Sequence, residues 1–233
     1  MLKLMVDDSI QERENKLKKE LNKQARPAIV ASCSDGIVIA TLNNLKRPKI
    51  KQVSGPIAFV GVGIWSDFNR LWEFACASLT RHRFVDASER DFAIFDKITE
   101  ALCREIRQKF CNLYLADYYQ CELVFAFLGE EKSKDRLHLI DCVGIEDYNS
   151  SFFIIPSGTG VIQPKLGILA ESATMKEAFK VAVEVLKEEQ QKLNSGTVLE
   201  VATLSRKVLL EGRLEDAYHK LTQEEIENWL TCD

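Results

Sequence analysis

Long apolar runs, histidines and paired cysteines are scarce in this sequence, and each shortage excludes a class of function. No apolar stretch approaches the roughly 20 residues of a membrane-spanning helix, and the charged start of the chain lacks the apolar core of a signal peptide. The 3 histidines, His82, His138 and His219, are far apart, and none has a second metal-binding residue at ligand spacing. The sequence therefore predicts no membrane anchor, metal or cofactor.

The cysteine pattern and the charge balance narrow the class further. The 7 cysteines form no Cys-x-x-Cys pair, their number is odd, and most lie in apolar patterns, as buried free thiols do. We therefore expect a reducing, cytoplasmic compartment. A net charge of −4 argues against a nucleic-acid partner, and 46% hydrophobic residues with only 5 prolines indicate a globular chain.

The stretch 56–83 joins a strand to a helix, and the rest of the chain is arranged around it. Ile57-Ala58-Phe59-Val60 has no polar face, which predicts a strand covered on both sides. Two glycines, Gly61 and Gly63, then lead into a helix. The apolar side chains on one face of this helix are Phe68, Leu71, Trp72, Ala75 and Leu79.

The remaining segments form alternating blocks of strands and helices. Helical periodicity predicts helices at 8–24, 89–111 and 161–171, and the capping boxes Thr174 with Glu177 and Thr222 with Glu225 open two more. The apolar face of the helix at 89–111 comprises Phe92, Phe95, Ile98, Leu102, Ile106 and Phe110. Strands are predicted at 28–33, 37–42, 49–53, 122–128, 136–143, 152–155, 199–204 and 207–210, the first two joined by Asp35-Gly36 and the last two forming a hairpin.

This order of elements predicts the fold class α+β. Pairs of helices separate blocks of mostly antiparallel strands, which a four-layer αββα sandwich of two stacked antiparallel sheets flanked by helices would satisfy. No linker or repeat divides the chain, so we expect one domain over 1–233. Within it, 1–25 would be an N-terminal segment with a helix and 26–233 the sandwich.

The predicted helix at 8–24 has a thin apolar stripe of Ile10, Leu17 and Leu21 among charged and amide side chains. So narrow a stripe leaves two interpretations open. The helix could pack lightly on its own domain, or it could dock against a neighbouring subunit.

Several motifs, taken in order, resemble the proteasome subunit family, and most closely its bacterial α-type members. The matching motifs are Asp35-Gly36 before an apolar strand, Lys49-Ile50, the Ile57–Gly63 strand, Ser66-Asp67-Phe68-Asn69-Arg70-Leu71, Phe152-Phe153-Ile154-Ile155-Pro156-Ser157-Gly158, and Leu199-Glu200-Val201-Ala202-Thr203-Leu204. The resemblance covers most of the chain. It implies the Ntn-hydrolase sandwich that the order of elements predicts.

The resemblance raises the question of whether the chain is catalytic. β-type members are hydrolases that use an N-terminal threonine, whose own amino group acts as the base. Counting from Asp35-Gly36, that threonine falls at Arg26 and the expected aspartate near Leu42, while the expected lysine has no clear counterpart in 43–48. Cleavage at Gly158-Thr159 or Gly196-Thr197 would cut the fold. We therefore expect a chain that is not an enzyme itself.

As an α-type subunit, the chain would belong to an outer ring, heptameric by resemblance, that gates the access of substrates in protein degradation. The implied partners are copies of itself, β-type proteasome subunits, a ring-shaped ATPase or other activator, and unfolded protein substrates. The residues before the first helix would form a flexible gate segment: Met1, Leu2, Lys3, Leu4, Met5 and Val6.

The turn after the 57–63 strand is where the resemblance places an activator pocket. Bacterial α-type members have a lysine there that pairs with a terminal carboxylate, but this chain has Ile64. Lys51 or Arg70 could supply the missing charge, and backbone N–H groups at the helix start could attract a carboxylate. The predicted pocket residues are Lys51, Gly63, Ile64, Trp65, Ser66 and Arg70.

Two further functions remain open at this point. A divergent Ntn hydrolase could use another nucleophile, with Cys33 or Ser32 as candidates, although both lie in an apolar strand pattern typical of core packing. A proteasome-like protein could also form rings alone, as a scaffold without a β-type partner.

Overall fold

The computed structural model describes residues 2–24, 26–43, 47–85, 91–112, 117–148, 150–156, 173–192 and 197–231. Over these ranges the elements are α1 (Leu2–Gln24), β1 (Ala28–Ser32), β2 (Gly36–Asn43), β3 (Ile50–Ser54), β4 (Ile57–Gly63), α2 (Trp65–Val85), α3 (Asp91–Cys111), β5 (Cys121–Phe127), β6 (Arg136–Ile140), β7 (Glu146–Asp147), β8 (Phe152–Ile155), α4 (Met175–Lys192), β9 (Val198–Ser205), α5 (Arg206–Leu210), β10 (Tyr218–Lys220) and α6 (Gln223–Thr231). Short 3₁₀ turns lie at Lys132–Lys134 and Leu214–Asp216.

The strands form two five-stranded antiparallel sheets. Sheet I has the order β10-β9-β2-β1-β8, and sheet II has the order β3-β4-β5-β6-β7. A tight hairpin joins β1 to β2 in sheet I, with Ala31 opposite Val38, whereas β4 and β5 of sheet II pair across the two helices between them, with Val60 opposite Val124. The predicted pair of stacked antiparallel sheets is confirmed.

Strand alternation gives each sheet an inner and an outer apolar face. The inner faces meet in one core that includes Ile39 of sheet I and Val60 of sheet II. The outer face of sheet II, with Phe59 and Phe125, packs under α2 and α3, and the outer face of sheet I packs under α4 and α6. The four layers are therefore helix, sheet, sheet and helix, as predicted.

The stretch that joins β4 to α2 is built as its sequence predicts. The strand is buried from Ile57 to Val62, and α2 buries Phe68, Leu71, Ala75 and Leu79 against it. Trp72, predicted on the same face, is only half-buried, because its indole N–H reaches the Gln52 carbonyl on the edge strand β3 at 2.9 Å.

On α3, the prediction for one residue is wrong. The side chains at positions 95, 98, 102, 106 and 110 are buried, as predicted, but Phe92 is 45% exposed. Phe92 lies in the first turn of α3, at the end of the helix where Ile94 and Phe95 take the positions against the core.

Helix α1 is longer than the sequence pattern indicated, and it packs on its own chain. It begins at Leu2, so Leu2–Val6, predicted as a flexible segment, are helical, whereas Met1 lies outside the described residues. Leu17 and Leu21 are buried against Phe110, Cys142 and Val143, with Ile10 packed alongside. The apolar stripe is therefore used within the chain.

The predicted final hairpin is wrong in its second strand. Residues 207–210 belong to the helix α5, because the Ser205 hydroxyl caps it by accepting from the Val208 N–H and Arg206 is drawn into the core. The second strand of the hairpin with β9 is instead β10, which is three residues long and places Tyr218 opposite Leu204. Strand β7 had no sequence prediction, and the helix predicted at 161–171 lies outside the described residues.

In the part of the chain that the structure describes, no helix is both long enough and apolar enough to cross a membrane.

Candidate functional site

The chain that leads into β1 contains the position at which the sequence pattern would place the threonine of a catalytic subunit. Arg26 and Pro27 occupy it, and the Pro27 carbonyl accepts a hydrogen bond of 2.9 Å from the buried Thr41 hydroxyl. Leu42, at the position expected for an aspartate, is 1% exposed and packs in the core beneath α4. These positions therefore contribute backbone and apolar contacts, not an acid–base pair.

Sequence reasoning missed a lysine at this place, Lys49. Its Nζ donates to the Arg26 carbonyl oxygen at 3.2 Å, although Lys49-Ile50 was predicted only as the start of a strand and as part of a family motif. Burial first and the nearby Arg26 charge second lower the pKa of Lys49 to about 8, while the charge of Glu200 acts in the opposite direction. A lysine therefore lies beside the chain entering β1, with a backbone carbonyl as its partner.

Glu200 is the centre of a buried polar network beside Lys49. It is 6% exposed and accepts hydrogen bonds from the Asn43 side-chain amide, from the Lys49 backbone N–H at 3.1 Å and from the Lys220 ammonium at 2.7 Å. The network joins β2, β9 and β10 to the chain entering β3. Because its members are amines, an amide and a carboxylate that bind one another, its role is structural.

The two alternative nucleophiles lack an activating base in the described structure. The Ser32 hydroxyl donates to Asp135 Oδ2 at 2.6 Å, but both oxygens of Asp135 are bound by the Arg206 guanidinium. Cys33 is 1% exposed, and burial raises the pKa of its thiol to about 12. At neutral pH the thiol is therefore protonated, and the carboxylate beside Ser32 is already paired with Arg206.

The turn between β4 and α2 is held by two hydrogen bonds with the backbone of Gln120. Gly63 has a φ of +112°, a conformation that side-chain-bearing residues rarely adopt. The Ile64 N–H donates to the Gln120 carbonyl at 2.8 Å, and the Gln120 N–H donates to Asp67 Oδ2 at 2.9 Å. A Cβ on Gly63 would lie 2.8 Å from Leu21 of α1, so helix and turn are in direct contact.

Lys51 is brought to this turn by aromatic rings. Its ammonium lies 3.9 Å from the ring centroid of Trp72, 5.6 Å from that of Trp65 and 5.7 Å from that of Phe68, and it donates to the Asn69 side chain. Burial lowers the pKa of Lys51. The predicted pocket therefore contains a cation, held against aromatic faces.

The other predicted pocket residues divide into two groups. Ile64 is 44% exposed beside Trp65, and Ser66 is exposed on the first turn of α2. Arg70 instead pairs with Asp117 at 3.3 Å and lies over the Tyr119 ring. The sequence also gave no signal for Arg47, whose guanidinium lies 5.4 Å from the Trp65 ring centroid.

Among the described residues, no three side chains of His, Cys, Asp or Glu gather in a way that could hold a metal ion.

Comparison with known proteins identifies one family and one relative. A family model described as Proteasome subunit matches residues 23–204. The chain is also similar to a protein of Jonesia denitrificans named Proteasome subunit alpha, with 27% identity over 118 residues. That alignment covers 49% of this chain and 48% of the relative, so the chain spans about half the length of the curated relative that it matches.

Proposed function

Because the chain belongs to the proteasome subunit family, we propose that it is a non-catalytic α-type subunit of a bacterial proteasome. It forms part of an outer ring that controls the access of substrates to a proteolytic chamber and docks regulators. The observation that carries this proposal is the connection into β1, where Arg26 and Pro27 continue from a packed helix and no threonine begins the strand.

Helix α1 supports the α-type assignment. It precedes β1 and is fixed to the sandwich by Leu17 and Leu21, with the Arg13 guanidinium donating to the Phe110 carbonyl at 2.9 Å. A helix anchored in this way is part of the fold. The relative named Proteasome subunit alpha points to the same type of subunit.

The partners follow from this assignment as proposals. The chain assembles into a ring with copies of itself, a heptamer by family resemblance, which stacks on β-type subunits in the cytoplasm. The residues Met1–Val6 form the gate for unfolded protein substrates, which places the gate at the start of α1. A ring-shaped ATPase or another activator binds on the same side.

The activator pocket lies at the turn formed by Gly63, Ile64, Trp65 and Ser66. Lys51 replaces the lysine that is missing at position 64, because the rings of Trp65 and Trp72 hold its ammonium at the turn. Arg47 adds positive charge over Trp65. Arg70 is already paired with Asp117, so its contribution to a docking carboxylate is smaller.

Co-expression with the β-type chain of the same genome tests the assembly. We expect the chain alone to show no turnover of fluorogenic peptides, and the co-purified complex to hydrolyse them. Native mass spectrometry distinguishes this result from a ring that forms without a β-type partner, which would support the scaffold function instead. Hydrolysis by the chain alone, abolished by Cys33→Ala or Ser32→Ala, would establish the divergent hydrolase.

Activator docking is tested separately with peptides that end in a free carboxylate. In the assembled complex, Lys51→Ala should weaken stimulation of peptide hydrolysis by such a peptide by about tenfold, since one charge-assisted contact contributes about 1.5–3 kcal/mol. Lys134→Ala is the control, because Lys134 lies in the loop between β5 and β6, at the other end of β5 from the turn. Equal stimulation of both variants would show that Lys51 does not bind the carboxylate.

A further inference from the structure

A cavity of about 470 Å³ lies at the end of the sandwich away from Gly63. Gly63 pairs with Cys121 at the start of β5, whereas Arg136 pairs with Phe127 at its other end. The cavity opens there between sheet I and sheet II. Its volume is in the range of sites that take small organic ligands, which is about 300–1,000 Å³.

The floor of this cavity carries no net negative charge. Asp135 is the acidic residue that lines it, and its side chain is 3% exposed. Both of its oxygens are bound by Arg206, at 3.0 and 2.9 Å, and the Ser32 hydroxyl donates to one of them. A carboxylate neutralised in this way does not repel an anion.

The remaining charges of the lining are positive. Lys132 and Arg136 both line the cavity. The Arg136 guanidinium uses one N–H on the Asp135 carbonyl at 3.2 Å, and a guanidinium has five N–H donors in all. Lys132 lies close enough to the buried Cys33 for its charge to oppose the burial that raises the pKa of that thiol.

Apolar and hydroxyl groups complete the lining. Leu137 is 4% exposed and forms part of the wall, and Ser151 contributes a hydroxyl. Tyr148 also lines the cavity, and 62% of its surface is exposed. Large exposed aromatic rings on a protein surface often mark sites of contact with a ligand or a partner. Two cations beside an aromatic and an aliphatic side chain suit a ligand that has one anionic end and one apolar end.

We propose that this cavity binds a small organic anion, a carboxylate or phosphate ester on an aromatic or apolar body. Lys132 and Arg136 bind the anionic group, and Tyr148 and Leu137 contact the body. The paired Asp135 and Arg206 form a neutral floor. The proposal does not depend on whether the chain is an α-type subunit, because no residue in it belongs to the turn at Gly63 or to α1.

Isothermal titration calorimetry on the full chain at low ionic strength tests the site. Phenyl phosphate and benzoate are the probes, with inorganic phosphate and benzyl alcohol as the anion-only and body-only comparisons. We expect saturable binding of phenyl phosphate, weaker binding of inorganic phosphate and no binding of benzyl alcohol. The absence of saturable heat with phenyl phosphate up to about 10 mM would overturn the proposal.

Variants locate the binding. The double variant Lys132→Gln/Arg136→Gln should weaken phenyl phosphate binding by at least about tenfold, since two charge-assisted contacts are removed. Lys134→Gln is the matched control, because Lys134 lies on the same 3₁₀ turn as Lys132 and is not among the residues that line the cavity. Tyr148→Ala should weaken phenyl phosphate and leave inorganic phosphate unchanged. If the double variant and the control lost equal affinity for phenyl phosphate, the loss would be explained by net charge alone, and the proposed site would be rejected.

Discussion

The buried ammonium of Lys49 makes the stability of the chain depend on alkaline pH. Its pKa falls from 10.5 to about 8 in the folded chain, so between these values the unfolded chain binds more protons than the folded chain. Folding stability therefore rises with pH across this window. Below pH 8 the lysine is charged in a partly buried position, at a cost of about 3 kcal/mol relative to the unfolded chain.

Replacement of Lys49 by methionine should remove this dependence. Between about pH 7.5 and 9.5 the wild-type chain should gain about 2 kcal/mol of unfolding free energy relative to Lys49→Met. Urea denaturation of both proteins at the two pH values measures the difference. Lys16→Met is the control, because Lys16 is exposed on α1. A constant difference between wild type and Lys49→Met would contradict the buried-lysine account.

The ion pair of Arg206 and Asp135 should be costly to break on one side only. Arg206→Met leaves a buried carboxylate without its partner, and we expect a loss of about 3–5 kcal/mol in unfolding free energy. In the double variant Arg206→Met/Asp135→Leu most of this loss should disappear, because no charge is then buried. Urea denaturation measures both. A loss below about 1 kcal/mol in the single variant would mean that water replaces the guanidinium.

The burial of Lys49 and that of Arg206 could not be predicted from the sequence. The partners are remote, since Glu200 lies 151 positions after Lys49 and Arg206 lies 71 positions after Asp135. Long charged side chains are exposed in most proteins, so a buried one has no local signature. The expectations that Arg26 takes the place of a catalytic threonine and Ile64 that of a lysine, by contrast, came from the sequence, because each concerns a single position in a motif.

At the scale of elements, the predicted helices and strands agree best with the structure where the local sequence pattern is long and strong. The strand β4 and the helices α2 and α4 have long apolar periods or a capping box, and Thr174 and Glu177 bond each other's groups as predicted. The helix α5 and the strand β10 are too short for the spacing of apolar residues to distinguish a helix from a strand. Their states depend on contacts with β9 and on the buried Arg206.

Helix α1 is held by two leucines, and this makes its attachment easy to test. Leu17→Ala/Leu21→Ala should destabilise the packing of α1 by about 2–5 kcal/mol for each leucine. Hydrogen exchange of the α1 amides should then accelerate, while the amides of β4 and β5 keep their protection. Lys16→Ala/Lys19→Ala, on the exposed face, is the matched control. Uniform acceleration in both sheets would show that α1 is part of the cooperative core.

At the scale of the whole molecule, the shared inner core favours a single domain. Residues from both sheets, such as Ile39 and Leu204 from sheet I and Val60 and Val124 from sheet II, form one cluster. The sequence predicted this because no linker interrupts it and the strand order requires two sheets. It could not predict which residues face inward at the ends of the sheets.

Such a core should unfold in one cooperative step. The fluorescence of the 3 tryptophans reports unfolding on both sides of the sandwich. Trp65 and Trp72 lie on the sheet II side, and Trp229 lies on the sheet I side. Trp229→Phe, and separately Trp65→Phe/Trp72→Phe, should give the same urea midpoint by fluorescence. Leu204→Ala should lower both midpoints equally, by about 2–5 kcal/mol in unfolding free energy, whereas the exposed Leu210→Ala should not. Two separate midpoints would divide the sandwich into independent units.

The glycine at position 63 has a consequence for communication within the molecule. A Cβ there would clash with the Gln120 carbonyl oxygen and lie 2.8 Å from the Leu21 side chain, so the turn that presents Lys51 and Ile64 is in direct contact with the helix that begins at Leu2. Coupling between two sites is reciprocal. If a ligand at the turn changes the free energy with which α1 packs, then the packing of α1 changes the binding free energy of the ligand by the same amount. A carboxylate peptide at the turn should therefore change hydrogen exchange at the α1 amides, and loss of the Leu21 side chain should change the peptide's affinity.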